Sequence, residues 1–343
     1  MSKVFKRNRM RSIKENSIVK YVLYALGEII LISLGILIAM EINNRNELAK
    51  NEARVDKLLT QIQHDILVDV EMANQIIDVY SKKDSLMNRV LSRHVTENEY
   101  HENFNYYTLI TSVATFQIKD ESYKNLMRSS EAIPAKYDSL VIKLDQLYRN
   151  NKAAIDEVNE ALSDFTKNML EKWSQKYTWY SEFYINGPSE EELDYFLNDP
   201  FYKNDIATYQ TYAVENLLTM TRNFQLESAL VYHQIAKELK QTKEKPELIN
   251  TIVADISDAT RNKMIGTYLI TPTFNIKVFD VGGQLYCQAT NQSKFAVYPQ
   301  SDSVLTASVV EIKMIFKTDS ESGDFEGFTL IQNSNENYFV KEK

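Results

Sequence analysis

Few residues in this 343-residue chain have the type and spacing to do chemistry. The four histidines, His64, His94, His101 and His233, are scattered, and none forms a His-x-x-x-His or His-Glu-x-x-His pair that could present two imidazoles to one metal. The densest group, His94 with His101-Glu102, reads as part of a solvated loop between helices. Ser17-Ile-Val-Lys20 has the Ser-x-x-Lys spacing of an acylated serine and its lysine, but it abuts a long apolar run and no Lys-Thr-Gly partner follows. Cys287 is the single cysteine, which rules out an intramolecular disulfide and a cysteine-rich metal centre. It lies on the apolar side of an alternating run and reads as a core residue, not a nucleophile. Glu190-Glu191-Glu192 open a helical pattern, where they complement the helix dipole without a catalytic role. No P-loop, Gly-x-Ser-x-Gly or Gly-x-Gly-x-x-Gly occurs. The residues imply no catalytic set, no cofactor and no metal.

The elements are more informative than the side-chain chemistry. Residues 21–40 are apolar except Glu28 and Ser33, and about 20 helical residues at about 1.5 Å each cross a hydrocarbon core. The run is longer than a signal-peptide core and no small-x-small cleavage site follows it, so 21–42 reads as an uncleaved transmembrane helix. Residues 1–20 carry seven cations and one anion and sum to +6, and the remaining residues sum to -14. The positive-inside rule therefore puts the N-terminal segment 1–20 in the cytoplasm and the bulk of the chain outside it. A body so acidic is a poor nucleic-acid binder.

Glu28 is an acid inside the apolar run, where such groups face protein or water. On a helix Glu28, Ile32, Gly35 and Ala39 share one face, and Gly35-x-x-x-Ala39 lets two backbones approach. Two readings stand level, a seam for self-association or a partner and a tolerated acid hydrogen-bonded within its own helix or to Tyr24, while a proton or ion pathway is a third that one span with one acid disfavours.

Beyond the membrane, no glycine occurs between Gly35 and Gly187, and apolar residues recur at three- and four-residue steps. Val55, Leu59, Ile62, Ile66, Val70, Ala73, Ile77 and Tyr80 form one stripe; Ile155, Val158, Leu162, Phe165, Met169 and Trp173 another; Ile206, Tyr209, Ala213, Leu217, Met220 and Phe224 a third. These stripes predict long helices over 43–92, 137–184 and 201–243, with a shorter or broken fourth in 97–131. Thr96 with Glu99 and Ser189 with Glu192 read as capping boxes, and Asp199-Pro200 as an N-cap before proline. Residues 43–262 should pack as an antiparallel bundle, with coiled-coil contact between copies left open. Within it Trp173, Tyr177, Tyr180 and Tyr184 fall on one aromatic face, read either as core packing, the favoured account, or as a candidate ligand or partner face.

From Gly266 the period changes to two. Phe274, Ile276 and Val278 alternate with polar residues, Gly282-Gly283 turns the chain, and Leu285, Cys287 and Ala289 alternate on return. Further short runs, one of them 309–316, give about eight strands, so 264–343 reads as a small antiparallel β-barrel. The fold class is α+β: one transmembrane helix continuing into a long antiparallel bundle, then a barrel.

Two resemblances attach to these residues. Gly266-Thr-Tyr268, Leu285-Tyr-Cys-Gln-Ala-Thr-Asn-Gln292, Val297-Tyr-Pro-Gln-Ser-Asp302, Ile315-Phe-Lys317 and Gly327-Phe-Thr-Leu-Ile-Gln-Asn333 resemble the lipocalin-like β-barrel module found after serine β-lactamase-like peptidase domains. In that family the catalysis belongs to the preceding domain, so the resemblance implies a packing, oligomerisation or binding accessory. Tyr24-Ala-Leu-Gly-Glu-Ile29, Leu34-Gly-Ile-Leu-Ile-Ala39, Ile42-Asn-Asn-Arg-Asn-Glu47 and, more weakly, Ser122-Tyr-Lys-Asn-Leu126 through Ser130 are similar to an uncharacterised family of bacterial single-pass membrane proteins. That family usually has Gln where Glu41 stands and Trp where Arg45 stands. The similarity implies a Gram-negative cell-envelope protein of unknown role, for which the charge pattern gives an inner-membrane location with the bulk of the chain in the periplasm. The expected function is non-enzymatic binding or scaffolding, with a protein partner or self-association, and the alternative is an extracytoplasmic sensor that signals through a membrane partner.

Overall fold

A computed structural model describes residues 18–128, 133–307, 312–332 and 335–342, with side chains from Tyr21 onward. Most of the basic segment, including Ser17, lies outside the described residues, as do Ser130, Asn333 and the start of the 309–316 run. The chain divides into two compact units, one holding α1 up to Lys57 with the described part of 129–136, the other Leu58–Arg128 with Tyr137 onward.

Helix α1, Ile18–Leu91, is a single 74-residue helix, because neither proline nor a mid-helix break signal follows Gly35. In the first unit its residues from Val22 to Ile42, apolar but for Glu28, Ser33 and Glu41, are largely exposed, and Lys136 pairs with Glu52 at 3.1 Å. This is a helix long and apolar enough to cross a membrane by length and composition.

In the second unit four elements alternate in direction. α1 buries Leu59, Ile62, Ile66, Val70, Ala73, Ile76 and Tyr80, the stripe drifting from the expected Ile77 to Ile76. A rising run comprises α4 (Asp138–Asp145), the π-helical turn π1 (Gln146–Asn151) and α5 (Lys152–Lys176). A descending run comprises α8 (Pro200–Gln210), π2 (Thr211–Leu218) and α9 (Thr219–Glu238). Side-chain pairs fix the antiparallel sense: Gln63 exchanges two hydrogen bonds with Gln241, Asn74 meets Gln225, and Asp84 meets Gln210. Lys172 likewise pairs with Asp205 at 2.8 Å, and Gln234 with Ser139.

The fourth position is not a long helix. After α2 (Glu97–Glu102) and a 3-10 turn at Phe104–Tyr106, residues 112–120 descend as an extended strap, and only then does α3 (Glu121–Met127) form. The five extended steps from 114 to 119 span about the same ~16 Å as the eleven helical steps from Asp69 to Tyr80. The strap is buried at Phe116 and Ile118, so its backbone groups need partners. Side chains supply them. The Tyr80 hydroxyl donates to Ala114 O at 2.7 Å and accepts Ala114 N–H at 3.1 Å. Asn159 accepts Phe116 N–H at 3.1 Å and donates to Phe116 O at 2.9 Å. Asp69 accepts Lys119 N–H at 2.9 Å, and Thr166 donates to Ile110 O. Above the strap Lys83 donates to the carbonyls of Leu109 and Ser112, beside the Tyr209 ring. Burial pushes its ammonium down to about 8.

Two helix spans differ from the sequence expectation. The helix expected over 137–184 ends at Lys176: Tyr177 is extended, and its ring stacks on Trp179 at 4.9 Å and meets Tyr195 at 4.7 Å. Aromatic packing outweighs helix propensity there, and the chain restarts as α6 (Trp179–Asn186) and α7 (Glu190–Asn198). The helix expected over 201–243 ends at Glu238, with Lys240 at φ +50° closing the last turn through Gln241 N–H to Ala236 O. Of the expected caps, Thr96–Glu99 and Asp199 stand as read, Asp199 accepting the N–H groups of Phe201 and Tyr202. Ser189 caps Glu192 N–H at 3.3 Å.

Short helices α10 (Glu247–Asn250) and α11 (Asp258–Met264) lead into what are, among the described residues, nine antiparallel strands: β1 Gly266–Thr271, β2 Phe274–Val281, β3 Gln284–Ala289, β4 Phe295–Ala296, β5 Tyr298–Ser301, β6 Val304–Thr306, β7 Ile312–Thr318, β8 Phe325–Gln332 and β9 Asn335–Lys341. Each pairs with its neighbour in sequence except across β4 and β5, and β9 returns to pair with β1. The two edge strands are joined by Val297 alone, which leaves a nearly closed barrel. Its inside is filled by side chains including Tyr268, Met314, Phe316, Phe328 and Phe339. Cys287 belongs to this core, and burial pushes its thiol up to about 12, so it is no thiolate at neutral pH.

Candidate functional site

The strap ends at Asp120, and with α3, the end of α4, π1 and the start of α5 it lines an open cleft of about 410 Å³ edged by charged side chains. π1 shapes one wall. Lys152 N–H bonds to Leu147 O five residues back, and the extra residue turns both Leu147 and Tyr148 inward. Tyr148 stacks on Tyr123 at 5.1 Å with an interplanar angle of 20°. The Tyr123 hydroxyl donates to Asp145 at 2.5 Å, and burial with that carboxylate pushes it up to about 12.

Charge around the cleft alternates. Lys124 pairs with Asp120 at 2.8 Å, Lys152 reaches Asp120 at 4.0 Å and also pairs with Asp156, and Arg149 reaches Asp145 at 3.4 Å. Three cations and three anions thus face one space. The Lys152–Asp120 pair is only about one-fifth exposed at either side chain, so its field is less screened than on open surface.

Two buried polar groups beside the cleft are incompletely satisfied. Asp69 is 1% exposed; its Oδ1 takes Lys119 N–H, while Oδ2 has no hydrogen-bond partner among the described residues. Burial pushes its carboxyl up to about 7, against the pull of the Lys119 N–H, with Asp65 adding to the rise. Tyr148 is 4% exposed and its hydroxyl likewise has no partner among the described residues. Burial raises it well above the usual phenol range, with Asp69 the strongest of the charges acting on it.

The residues singled out in the sequence lie elsewhere. Glu28, Ile32, Gly35 and Ala39 share one side of α1, and the space a side chain at Gly35 would fill holds no other atom within 4 Å. Trp173, Tyr177, Tyr180 and Tyr184 are divided by the end of α5. Trp173 is buried, its indole N–H donating to the Tyr195 hydroxyl at 3.0 Å amid Trp179, Phe196 and Tyr202. Tyr180 and Tyr184 pair with each other at 5.4 Å, and Tyr184 is 65% exposed. Glu192, expected at a helix start, stands in the first turn of α7 and is turned inward. It is 2% exposed, its Oε2 has no partner among the described residues, and burial pushes it up to about 7.

Sequence reasoning passed over Asp69, Tyr148, Asn159 and Thr166. The available signal was polarity at a buried stripe: Asp69 sits between Ile66 and Val70, Asn159 beside Val158, and Thr166 beside Phe165. Among the described residues no three His, Cys, Asp or Glu side chains are grouped to hold a metal ion.

No curated protein and no solved structure matches the chain. Residues 28–177 match the model of a family of unknown function, DUF6090, so that the strap, Asp69 and the whole cleft fall within the part of the chain that is similar to that family.

Proposed function

We propose that the chain is a single-pass membrane protein of the bacterial cell envelope that works by binding rather than catalysis. The observation that carries this is the first part of α1, apolar from Val22 to Ile42 but for Glu28, Ser33 and Glu41 and largely exposed, a surface that hydrocarbon accommodates and water does not. The seven cations in residues 1–20 favour a cytoplasmic N-terminus, an inner-membrane location and a periplasmic body. Glu28, Ile32, Gly35 and Ala39 offer the seam for a second copy or a membrane partner. The likeness of the last 80 residues to the lipocalin-like module supports an accessory packing role for the barrel.

The test is fractionation of cells expressing the full chain, with protease added to spheroplasts. The expected result is a carbonate-resistant membrane band whose barrel and bundle are digested from the periplasmic side. A chain released by carbonate, or protected from periplasmic protease, overturns the reading. Crosslinking in intact cells then tests the seam, since Glu28→Gln should abolish a specific crosslinked product if that face carries the contact. A second reading, a sensor, is favoured by one observation: the same unbroken helix carries the apolar segment and Asp69.

A further inference from the structure

We propose that the end of the bundle built by α2, α6 and α7 docks a basic segment of another protein, one in which lysines and arginines flank a few apolar side chains. The inference rests on the binding reading above and gives the chemistry of the partner. Its first ground is exposed apolar surface. Trp173, Tyr195, Phe196 and Tyr202 are buried, but their cluster continues out to solvent through a chain of touching rings. Phe104 stacks on Phe183 at 5.6 Å, Phe183 meets Tyr184 at 5.4 Å, and Tyr184 meets Tyr180 at 5.4 Å. Phe104 is 55% exposed, Tyr184 65% and Ile185, the next residue of α6, 73%. On side chains of about 150–250 Å² those fractions leave on the order of 300–400 Å² of apolar surface, a size at which surface patches mark interaction sites. A stable interface between folded partners takes about 800 Å² from each. The patch therefore fits a short segment with two or three apolar anchors rather than a whole domain.

The second ground is charge, and it selects the occupant. Residues 94–118 and 177–202, which include α2, α6 and α7, hold nine Asp and Glu and no Lys or Arg. The two stretches pack on each other, through Phe104 on Phe183 and through the Tyr100 hydroxyl, which donates to Phe196 O at 3.3 Å. Glu97, Glu102, Glu182, Glu190, Glu191 and Asp194 are exposed, and among the described residues none of these six pairs with a lysine or arginine; Arg89 answers only Glu99. A face of exposed rings set among such carboxylates repels a second copy of itself and an anionic lipid surface, and it steers a cationic segment inward. Ring faces also hold ammonium and guanidinium groups directly. At the edge of the cluster the chain's own Lys176 makes that contact, 4.8 Å from the centre of the Tyr177 ring.

The experiment is fluorescence anisotropy of a labelled helical peptide of lysine and leucine, titrated with the full chain in a zwitterionic detergent, with detergent alone as the blank. Two relatives of the peptide separate the two grounds, one with Glu for every Lys and one with Ser for every Leu. The Lys–Leu peptide should bind, the Glu–Leu peptide should not, and the Lys–Ser peptide should bind about tenfold more weakly or worse. Tyr184→Ser and Ile185→Ser change side chains that stand mostly in solvent, so the fold is kept, and each should weaken the Lys–Leu peptide about fivefold or more. Glu182→Gln with Glu190→Gln should do the same, while Glu157→Gln with Glu160→Gln, on the exposed side of α5, should leave the affinity unchanged. No binding of the Lys–Leu peptide at millimolar concentration overturns the proposal, as does unchanged affinity in both Tyr184→Ser and Ile185→Ser, or an equal loss in the two pairs of acid variants. Light scattering is the remaining check, since self-association of the wild type that is lost in Tyr184→Ser would give the face to a second copy and overturn the basic partner. The titration reads neither location nor topology, so its failure is separable from failure of the fractionation test.

Discussion

A single amide, that of Asn159, satisfies both backbone groups of Phe116 inside the bundle. Asn159→Leu keeps the volume and removes both bonds, leaving a buried N–H and a buried carbonyl unpaired. The expected loss is on the order of 3 kcal/mol, read as a fall of several degrees in melting temperature. Asp69 and Glu192 carry a pH signature. Both carboxyls are pushed up to about 7, from ordinary values of 3.8 and 4.5. A carboxyl raised by folding binds its proton more tightly in the native state, so its contribution to stability is fully present below the unfolded value and is lost as pH rises towards 7. Thermal stability should therefore be higher at pH 5 than at pH 8, and Asp69→Asn with Glu192→Gln should flatten that slope. A pH-independent melting temperature in the wild type would count against both assignments. These residues were only half legible in the sequence. The stripes that surround Asp69, Asn159 and Thr166 are plain in the spacing, but the backbone each one serves is some 40 to 56 residues away, and a helical period carries no information about that distance.

Elements were legible where one physical term dominates. The hairpin at Gly282-Gly283 was, because both glycines adopt positive φ, +64° and +87°, as a tight turn requires. The end of α5 at Lys176 was not, because no glycine or proline marks it and the break comes from Tyr177 packing on Trp179 and Tyr195. The strap was anticipated only as a broken fourth helix. π1 was hidden for a related reason: an apolar pair such as Leu147-Tyr148 fits an α-helical stripe nearly as well as a π-turn. In the barrel, Gly327 lies on β8 opposite Val340 of β9, and a Cβ there would collide with Phe339 O. Gly327→Ala should weaken the barrel by about 1–3 kcal/mol, seen as earlier loss of the near-ultraviolet signal of its packed Phe and Tyr rings. An unchanged barrel would mean that β9 can move aside at no cost.

At the scale of the whole molecule, the sequence resolves an apolar helix, a striped helical region and a β-structured end, since length, composition and period each report over tens of residues. Closure of the sheet through β1 and β9 was legible only as strand density, because pairing of Tyr268 with Lys341 and of Leu269 with Val340, so far apart in the chain, leaves no local mark. A chain beginning at Asn43 should leave the membrane fraction and keep the far-ultraviolet spectrum of the remaining helices and strands. If it stays membrane-bound, another surface of the protein holds it there. The strap also has a consequence for proton exchange with solvent. The amides of Ala114, Phe116 and Lys119 are shielded by three different side chains rather than by a helical or sheet ladder. In deuterium exchange they should form an irregularly spaced set of slow positions within an otherwise aperiodic segment. Tyr80→Phe, Asn159→Leu and Asp69→Asn would each alter the rate at one of them, so that the opening of three points along one buried strand can be timed separately.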